Sequence, residues 1–360
     1  MAQQNRRQRR LDQSKQDRAR RTQGARRGGG GGGRRGDRRR RRLAWVLAAV
    51  LIVVVAGIAV PLLLASSNAP TNQSPQTRAQ AGLSSHTILK LPAVSALAEQ
   101  GTAAWVTDDL RNVLVRFDPA TGQAARTVHL PGRPVAMVLA AGHVWVADAV
   151  DNQVVEVDPT TLLIQRSVPV PAEPTGMAVL GGDVWVTSLE AHELTPVDLH
   201  TGTAGTPIDV LAGAVRVAAG YGSLWVTGTT DLLTRVTPPA GSAGPQQKTV
   251  TVGQGPIGVA TGQGSVWVAN AAGGSVAEVS ASGLFVTQTL RVGGDPLTVA
   301  VSGGSVYVGD GTGETVRTVS PSPGSKALGV GTDPRVLMPV GAGVWVGGSN
   351  PGRVLAVGPA

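Results

Sequence analysis

RTVHLPGRPVAMVLAAGHVWVADAVDNQVVEVDPTT, residues 126–161, reads as four short extended runs separated by turns. Arg126 to Leu130 ends at Pro131-Gly132. Val135 to Leu139 is a run of small and aliphatic residues ended by Gly142. Val144-Trp145-Val146 is apolar and opens into Asp148, and Gln153 to Val157 alternates before Asp158-Pro159-Thr160-Thr161. Asp first and Pro second suit a type I turn. The same element returns as Asp118-Pro119-Ala120-Thr121-Gly122 and Asp198-Leu199-His200-Thr201-Gly202. Short β-branched runs punctuated by Gly and Pro are a strand pattern.

The tryptophan in this stretch belongs to a series. Trp105, Trp145, Trp185, Trp225, Trp267, Tyr307 and Trp345 follow one another at steps of 40, 40, 40, 42, 40 and 38 residues. Four strands in each repeat of this length make one blade, and seven such units close a ring. The expected fold is therefore all-β, a seven-bladed β-propeller over residues 86–360. Strands are lettered a to d from the central channel outward. Eight residues before each marker stands an apolar residue of strand a: Leu97, Met137, Met177, Val217, Val259, Val299 and Leu337. The marker on strand b is expected to pack between adjacent blades, each aromatic burying ~150–250 Å².

The chain ends carry a second signal. The last unit stops at Val357, after strand c, while Thr87-Ile88-Leu89-Lys90-Leu91 ahead of the first unit matches strand d elsewhere, as in Thr127-Val128-His129-Leu130. The N-terminal strand should complete the last blade, removing two unpaired sheet edges.

Composition agrees and sets limits. With 49 glycines, 24 prolines and no cysteine among 360 residues, disulfides, thiolate metal sites and cysteine nucleophiles are excluded. The net charge of +9 is unevenly divided: residues 1–42 hold 17 basic and three acidic side chains, the remainder 15 basic and 20 acidic. The basicity is a tail and the folded part is mildly acidic, which argues against nucleic acid as a partner.

Residues 1–42, rich in Gln, Arg and Gly, offer almost nothing to bury and are expected to be disordered. Leu43 to Ala65 is a stretch of 23 residues without a charge, long enough as a helix for a bilayer core of ~30 Å. Arg38 to Arg42 abut it, so the positive-inside bias places the tail in the cytoplasm and everything after Ala65 outside. The expectation is a single-pass plasma-membrane protein with its folded part extracytoplasmic. The alternative is a leader cleaved near Ala65-Ser66-Ser67; the long basic lead and long apolar run favour the anchor. The tail reads as a topology signal, with contact to anionic lipid as a second role. Residues 66–85, polar and Pro-punctuated, read as a flexible spacer.

The Gly-x-Val-Trp-Val marker, the Asn-x-Val and Val-Asp-Pro segments and the Pro-x-Gly before strand a resemble the NHL, YVTN and streptogramin-lyase-like propellers across residues 86–360. Val, not Asp, follows each marker, unlike the Trp-Asp ending of WD40 repeats. The lyase branch, typified by virginiamycin B lyase, opens a cyclic depsipeptide with Mg²⁺ and carries catalytic histidines just after the proline that precedes strand a. The matching positions here are Ser95, Val135, Thr175, Val215, Ile257, Leu297 and Arg335. Glu173-Pro174-Thr175 keeps the glutamate and proline but has threonine in place of the base, and threonine cannot exchange protons near neutral pH as imidazole does. No catalytic residue, metal site or cofactor is therefore expected.

The b–c and d–a loops of such a ring emerge at one end. There the sequence offers Asp108, Asp148, Glu173, Glu190, His192, Asn270, Asp295, Asp310, Asp333 and Arg335 as a polar, largely acidic rim around the channel mouth. Each such Asp or Asn equally suits the start of a turn. A ring-shaped mouth is the default place for a site. The expected function is a membrane-anchored binding or sensor module for an extracytoplasmic protein, peptide or cell-wall polymer. The alternative is a lyase or hydrolase with a divergent site on the same face.

Overall fold

The computed structural model describes residues 82–210, 213–239, 243–320 and 326–360. The expected tail (1–42) and span (43–65), and the spacer up to residue 81, lie outside the described residues. Among the described residues, every strand belongs to one of seven four-stranded antiparallel sheets. Strands a of successive sheets touch in order around the circle, and those of blades 7 and 1 touch in turn, so the ring closes.

Blade 2 shows the plan: strand a is Pro134–Ala140, b is His143–Asp148, c is Gln153–Val157 and d is Ile164–Pro169. Strands a and b are almost wholly buried between neighbouring blades, whereas only Val168 of strand d is buried. The seven residues placed eight before each marker are at most 2% exposed. The markers are buried as well, Trp345 most open at 7%. The indole N–H groups of Trp145, Trp185 and Trp225 donate to the carbonyls of Ala140, Leu180 and Gly220 at 3.2, 3.3 and 3.0 Å, tying strand b to the end of strand a in the same blade. Tyr307 reaches across instead, its hydroxyl donating to the Ala342 carbonyl of the next blade at 2.8 Å.

Hydroxyls add a polar stitch between inner strands. Ser95 donates to the Pro134 carbonyl (2.9 Å), Thr175 to Val215 (2.7 Å), Thr227 to Ile257 (2.8 Å) and Ser302 to Gly341 (3.0 Å). Each links one blade to the next; the first three satisfy buried carbonyls at or beside the start of strand a, which has no further strand to pair with, and the last reaches the a–b turn of blade 7. The c–d turns are as expected: Asp158 accepts from Thr160 N (2.9 Å), Thr161 N (2.7 Å) and Thr161 Oγ1 (2.9 Å). These bonds hold its carboxyl below the usual range.

Strand d of blade 7 is the N-terminal strand, Leu83–Lys90, antiparallel to Gly352–Pro359 from Leu83↔Pro359 to Lys90↔Arg353. It begins three residues before the expected start at His86, because pairing continues to the chain end and Ala360 N donates to the Gly82 carbonyl at 2.8 Å. Phe117 of blade 1 packs on Trp345 of blade 7 with ring centroids 5.9 Å apart, so apolar contact crosses the same seam. The outer strands of blades 3 and 6 shrink to Ile208–Asp209 and Leu328–Gly329. Pro207 directly precedes the first of these and cannot donate to a ladder.

Gly352 matters to closure. Leu91 N donates to its carbonyl at 3.2 Å, and a Cβ at this position would collide with the Leu91 and Pro92 backbone. Gly352→Ala should therefore lower stability by ~1–3 kcal/mol, the usual cost of overpacking a closed site. Gly329→Ala, whose added Cβ meets nothing within 4 Å, should leave the denaturation midpoint unchanged. Paired chemical-denaturation curves check both.

Candidate functional site at the channel mouth

Strand a starts and strand b ends at one end of the ring, so the d–a and b–c loops surround the channel there. The opposite end carries the a–b and c–d turns and, at Leu83, the entry of the chain from its N-terminal segment.

Four of the expected rim residues sit below the surface. Asp108 and Asp148 are at most 1% exposed, Asn270 is fully buried and Asp310 is 8% exposed. Each ends a strand b and holds neighbouring backbone. Asp108 accepts from Leu110 N (3.1 Å) and Arg111 N (3.2 Å), and Asp148 from Val150 N (3.1 Å), Asp151 N (3.3 Å) and Gln153 Nε2 (3.2 Å). Asn270 Nδ2 donates to the Val252 carbonyl (3.1 Å), and Asp310 accepts from Asp295 N (2.9 Å) and Gly313 N (3.3 Å). These side chains shape the b–c turns, although Asp108 Oδ2 and Asn270 Oδ1 are buried with no hydrogen-bond partner among the described residues.

The remaining candidates are scattered. Glu190 and His192 lie in the exposed b–c loop of blade 3, His192 at φ 59°. Glu173 is half-buried at φ 58°, its N–H held by Asn152 Oδ1 at 2.9 Å. Asp295 accepts from Thr312 Oγ1 at 2.9 Å within blade 6.

Asp333 and Arg335 form the one compact group, paired at 2.8 Å. They belong to a cluster that spans blades 7, 1 and 2, because Arg335 and Arg133 both lie close enough to Asp109 to act on its charge. Burial pushes the Asp109 carboxyl up, against the pull of these two arginines. Asp109 Oδ1 and Asp333 Oδ1 are buried and have no hydrogen-bond partner among the described residues. Beside them the b–c loops of blades 1 and 2 expose Leu110 (72%) and Val150 (62%). The mouth is thus a mixed-charge and apolar patch on one sector rather than an even acidic rim.

Thr175, where the lyase branch has histidine, is 5% exposed and its hydroxyl is engaged by Val215. His143 is on the blade flank, 3.3 Å from Glu156. Among the described residues no three His, Asp or Glu side chains converge to hold a metal.

Arg216 escaped the sequence reading. It is the first residue of strand a in blade 4 (Arg216–Gly220), 3% exposed, with Nη1 donating to the Thr175 carbonyl. Nine residues before the marker, the other blades have Ala96, Ala136, Gly176, Gly258, Thr298 and Val336, so the signal was an arginine in a column of small and apolar residues.

No family model matches the chain, and no curated protein matches it. Solved structures do. Hydrazine synthase of Kuenenia stuttgartiensis aligns with a TM-score of 0.65 at 13% identity, covering 75% of this chain and 96% of that one. The Pan2 WD40 domain of Neurospora crassa aligns with a TM-score of 0.64 at 8% identity, covering 79% and 98%. BamB from Moraxella catarrhalis aligns with a TM-score of 0.52 at 16% identity, covering 74% and 81%. At such identities the likeness is one of fold: the chain carries a β-propeller, a class in which function resides in the loops.

The buried Asp109 carboxylate opposes folding at neutral pH. A group whose pKa is raised in the folded state favours folding at low pH, and that advantage is lost as pH rises through the folded value. Asp109→Asn should therefore raise the thermal midpoint at pH 7 and leave it unchanged at pH 3, where the carboxyl is protonated folded or unfolded. Melting curves at the two pH values decide it.

Proposed function

We propose that the chain is a non-enzymatic binding module, tethered to the plasma membrane by residues 43–65 and displayed outside the cell, that docks an extracytoplasmic protein or peptide at the mouth sector of blades 7, 1 and 2. The observation that carries this reading is the buried, unpartnered Oδ1 of Asp109, next in sequence to exposed Leu110, with the unpartnered Asp333 Oδ1 and exposed Val150 in the same sector. Unpaired buried acceptors are costly and exposed apolar groups favour a cover. A partner segment offering a basic or amide group flanked by apolar side chains would relieve both. A cell-wall polymer with amino groups meets the polar half of that demand and lacks the apolar half.

Two features support the tether. Leu83, where the described chain begins its first strand, lies at the end of the ring opposite the mouth, so a tether there leaves the mouth unobstructed. The charge distribution of the first 65 residues fits an N-terminus held in the cytoplasm. The resemblance to the NHL, YVTN and streptogramin-lyase-like group is part of this reading as a likeness of repeat pattern, not of activity.

The absence of cysteine makes topology directly measurable. Leu163→Cys, at a position 63% exposed, should react with a membrane-impermeant maleimide on intact cells, while Ser14→Cys should react only after lysis. Labelling in the reverse pattern would overturn the tether.

For docking, a photo-crosslinking residue at position 150 in the full chain should capture a discrete partner in cells, and Asp109→Asn should abolish that capture. The same residue at position 163, at the other end of the ring, should give none. Equal capture from both positions would sink the docking sector.

A further inference from the structure

We propose that the inner wall of blades 3 and 4 is a carboxylate-binding site, with the Arg216 guanidinium as its anchor. The site is separate from the docking sector and does not rest on it: Arg216 sits in blade 4, whereas the sector covers blades 7, 1 and 2.

The argument begins with crowding. The position nine residues before the marker faces the inner strand of the next blade: a Cβ on Gly176 would come within 3.3 Å of the Arg216 Cα, and one on Gly258 within 2.9 Å of the Thr298 Cα. Small side chains at this position follow from the fold. Arginine at one of the seven does not, and it is Gly176 of blade 3, with no Cβ, that leaves room beside the Arg216 Cα. The side chain runs along the inner strands, and Nη1 donates to the Thr175 carbonyl of the preceding blade. That bond uses one of five N–H donors.

The second point is charge. Arg216 is 3% exposed, and among the described residues no carboxylate lies within ion-pair distance of it. Other charges are matched: Arg335 pairs with Asp333 at the mouth, and Arg166 with Glu156 on the outer strands of blade 2. Burial lowers the Arg216 pKa to about 9, so the group remains cationic at neutral pH. A buried cation with one neutral acceptor is unfavourable unless an anion or water compensates it.

The third point is selectivity. The neighbouring hydroxyls of Thr175, Thr187 and Thr227 already donate to carbonyls, at 2.7 Å to Val215, 3.3 Å to Gly176 and 2.8 Å to Ile257. They leave the guanidinium as the source of free donors. A planar fork of N–H groups matches the two oxygens of a carboxylate better than a spherical or tetrahedral anion. Arg216 opens strand a, at the mouth end of the channel wall, so the ligand enters from the mouth. It is either a small free carboxylate or an acidic group of a docked partner.

The test uses the full chain in detergent and follows tryptophan fluorescence on heating. Sodium acetate is compared with sodium chloride and sodium phosphate at matched ionic strength. Acetate should raise the midpoint in a saturable way, and the two other salts should not. Arg216→Met, which replaces the buried cation with an apolar chain of similar length, should fold with at least the parent's stability in low salt and lose the acetate response. Should that variant not fold, Arg216→Lys keeps the charge without the fork and should raise the half-saturating acetate concentration about tenfold. An acetate response retained in Arg216→Met, or equal responses to acetate and chloride in the parent, overturns the site. A peptide ending in a free carboxylate, compared with its amidated form, separates the sources: stabilisation by the free-acid peptide at concentrations where acetate is inert assigns the site to a partner's carboxylate, and the opposite order assigns it to a small molecule.

Discussion

The pairing of Leu83–Lys90 with Gly352–Pro359 is the constraint on which the rest of the molecule depends. Without it, blade 7 would end in a row of unpaired backbone groups at strand c, beside an unanchored N-terminal strand. A sheet edge left open in this way recruits other chains. With it, the first and last described strands are neighbours in one sheet, and the cooperativity of a repeat array becomes that of a closed circle. The seam is reinforced on three levels: the ladder itself, the contact of Phe117 with Trp345, and the close approach of Gly352 to the Leu91 carbonyl. The same pairing fixes polarity, because it puts the chain's entry at Leu83 at one end of the ring and the d–a and b–c loops at the other.

Between blades, apolar packing and hydrogen bonding divide the labour by depth. The markers on strand b fill the gap between sheets, and Tyr307 adds a hydrogen bond across it. Nearer the axis the gap narrows, and the edge carbonyls of strand a need donors. Ser95, Thr175 and Thr227 supply them. A buried hydroxyl with an acceptor is satisfied, and one without is a liability, so these residues belong to the fold even though each is polar and close to the channel. Thr175 makes the point sharply: it is 5% exposed and its hydroxyl is held by the Val215 carbonyl at 2.7 Å.

The ring, its blade number and the closing strand were legible in the sequence because each rests on a repeated signal. Seven aromatic markers at near-constant spacing and seven apolar partners eight residues earlier leave little freedom in register. The mouth was far less legible. Asp108, Asp148 and Asp310 look alike in sequence to residues that bind a ligand, and only their burial and their backbone partners show them to be turn formers. Asp109 carries the more distinctive environment, yet its neighbours Arg133 and Arg335 come from other blades, and nothing local in the chain announces that meeting. Arg216 was visible in principle. It stands one residue after the column inspected for histidines, and comparing each position across all blades would have isolated it.

In a repeat protein the seven-fold average describes what the fold requires, and departures from the average are where function has room to act. Blade 7 shows that a departure can also arise from construction. Gly343 and Ala356 stand where blade 2 has His143 and Glu156, and a cleft of about 310 Å³ opens there over Trp345, lined also by Ser84 and His86. That blade is assembled from both chain ends, so its outer positions answer to closure as well as to packing. Arg216 has no such excuse: blade 4 is built from continuous sequence, its neighbours fit the common pattern, and a buried cation destabilises the wall it lines. A lone charge kept against that cost, with its remaining donors unclaimed among the described residues, is better explained by something it holds than by anything it supports.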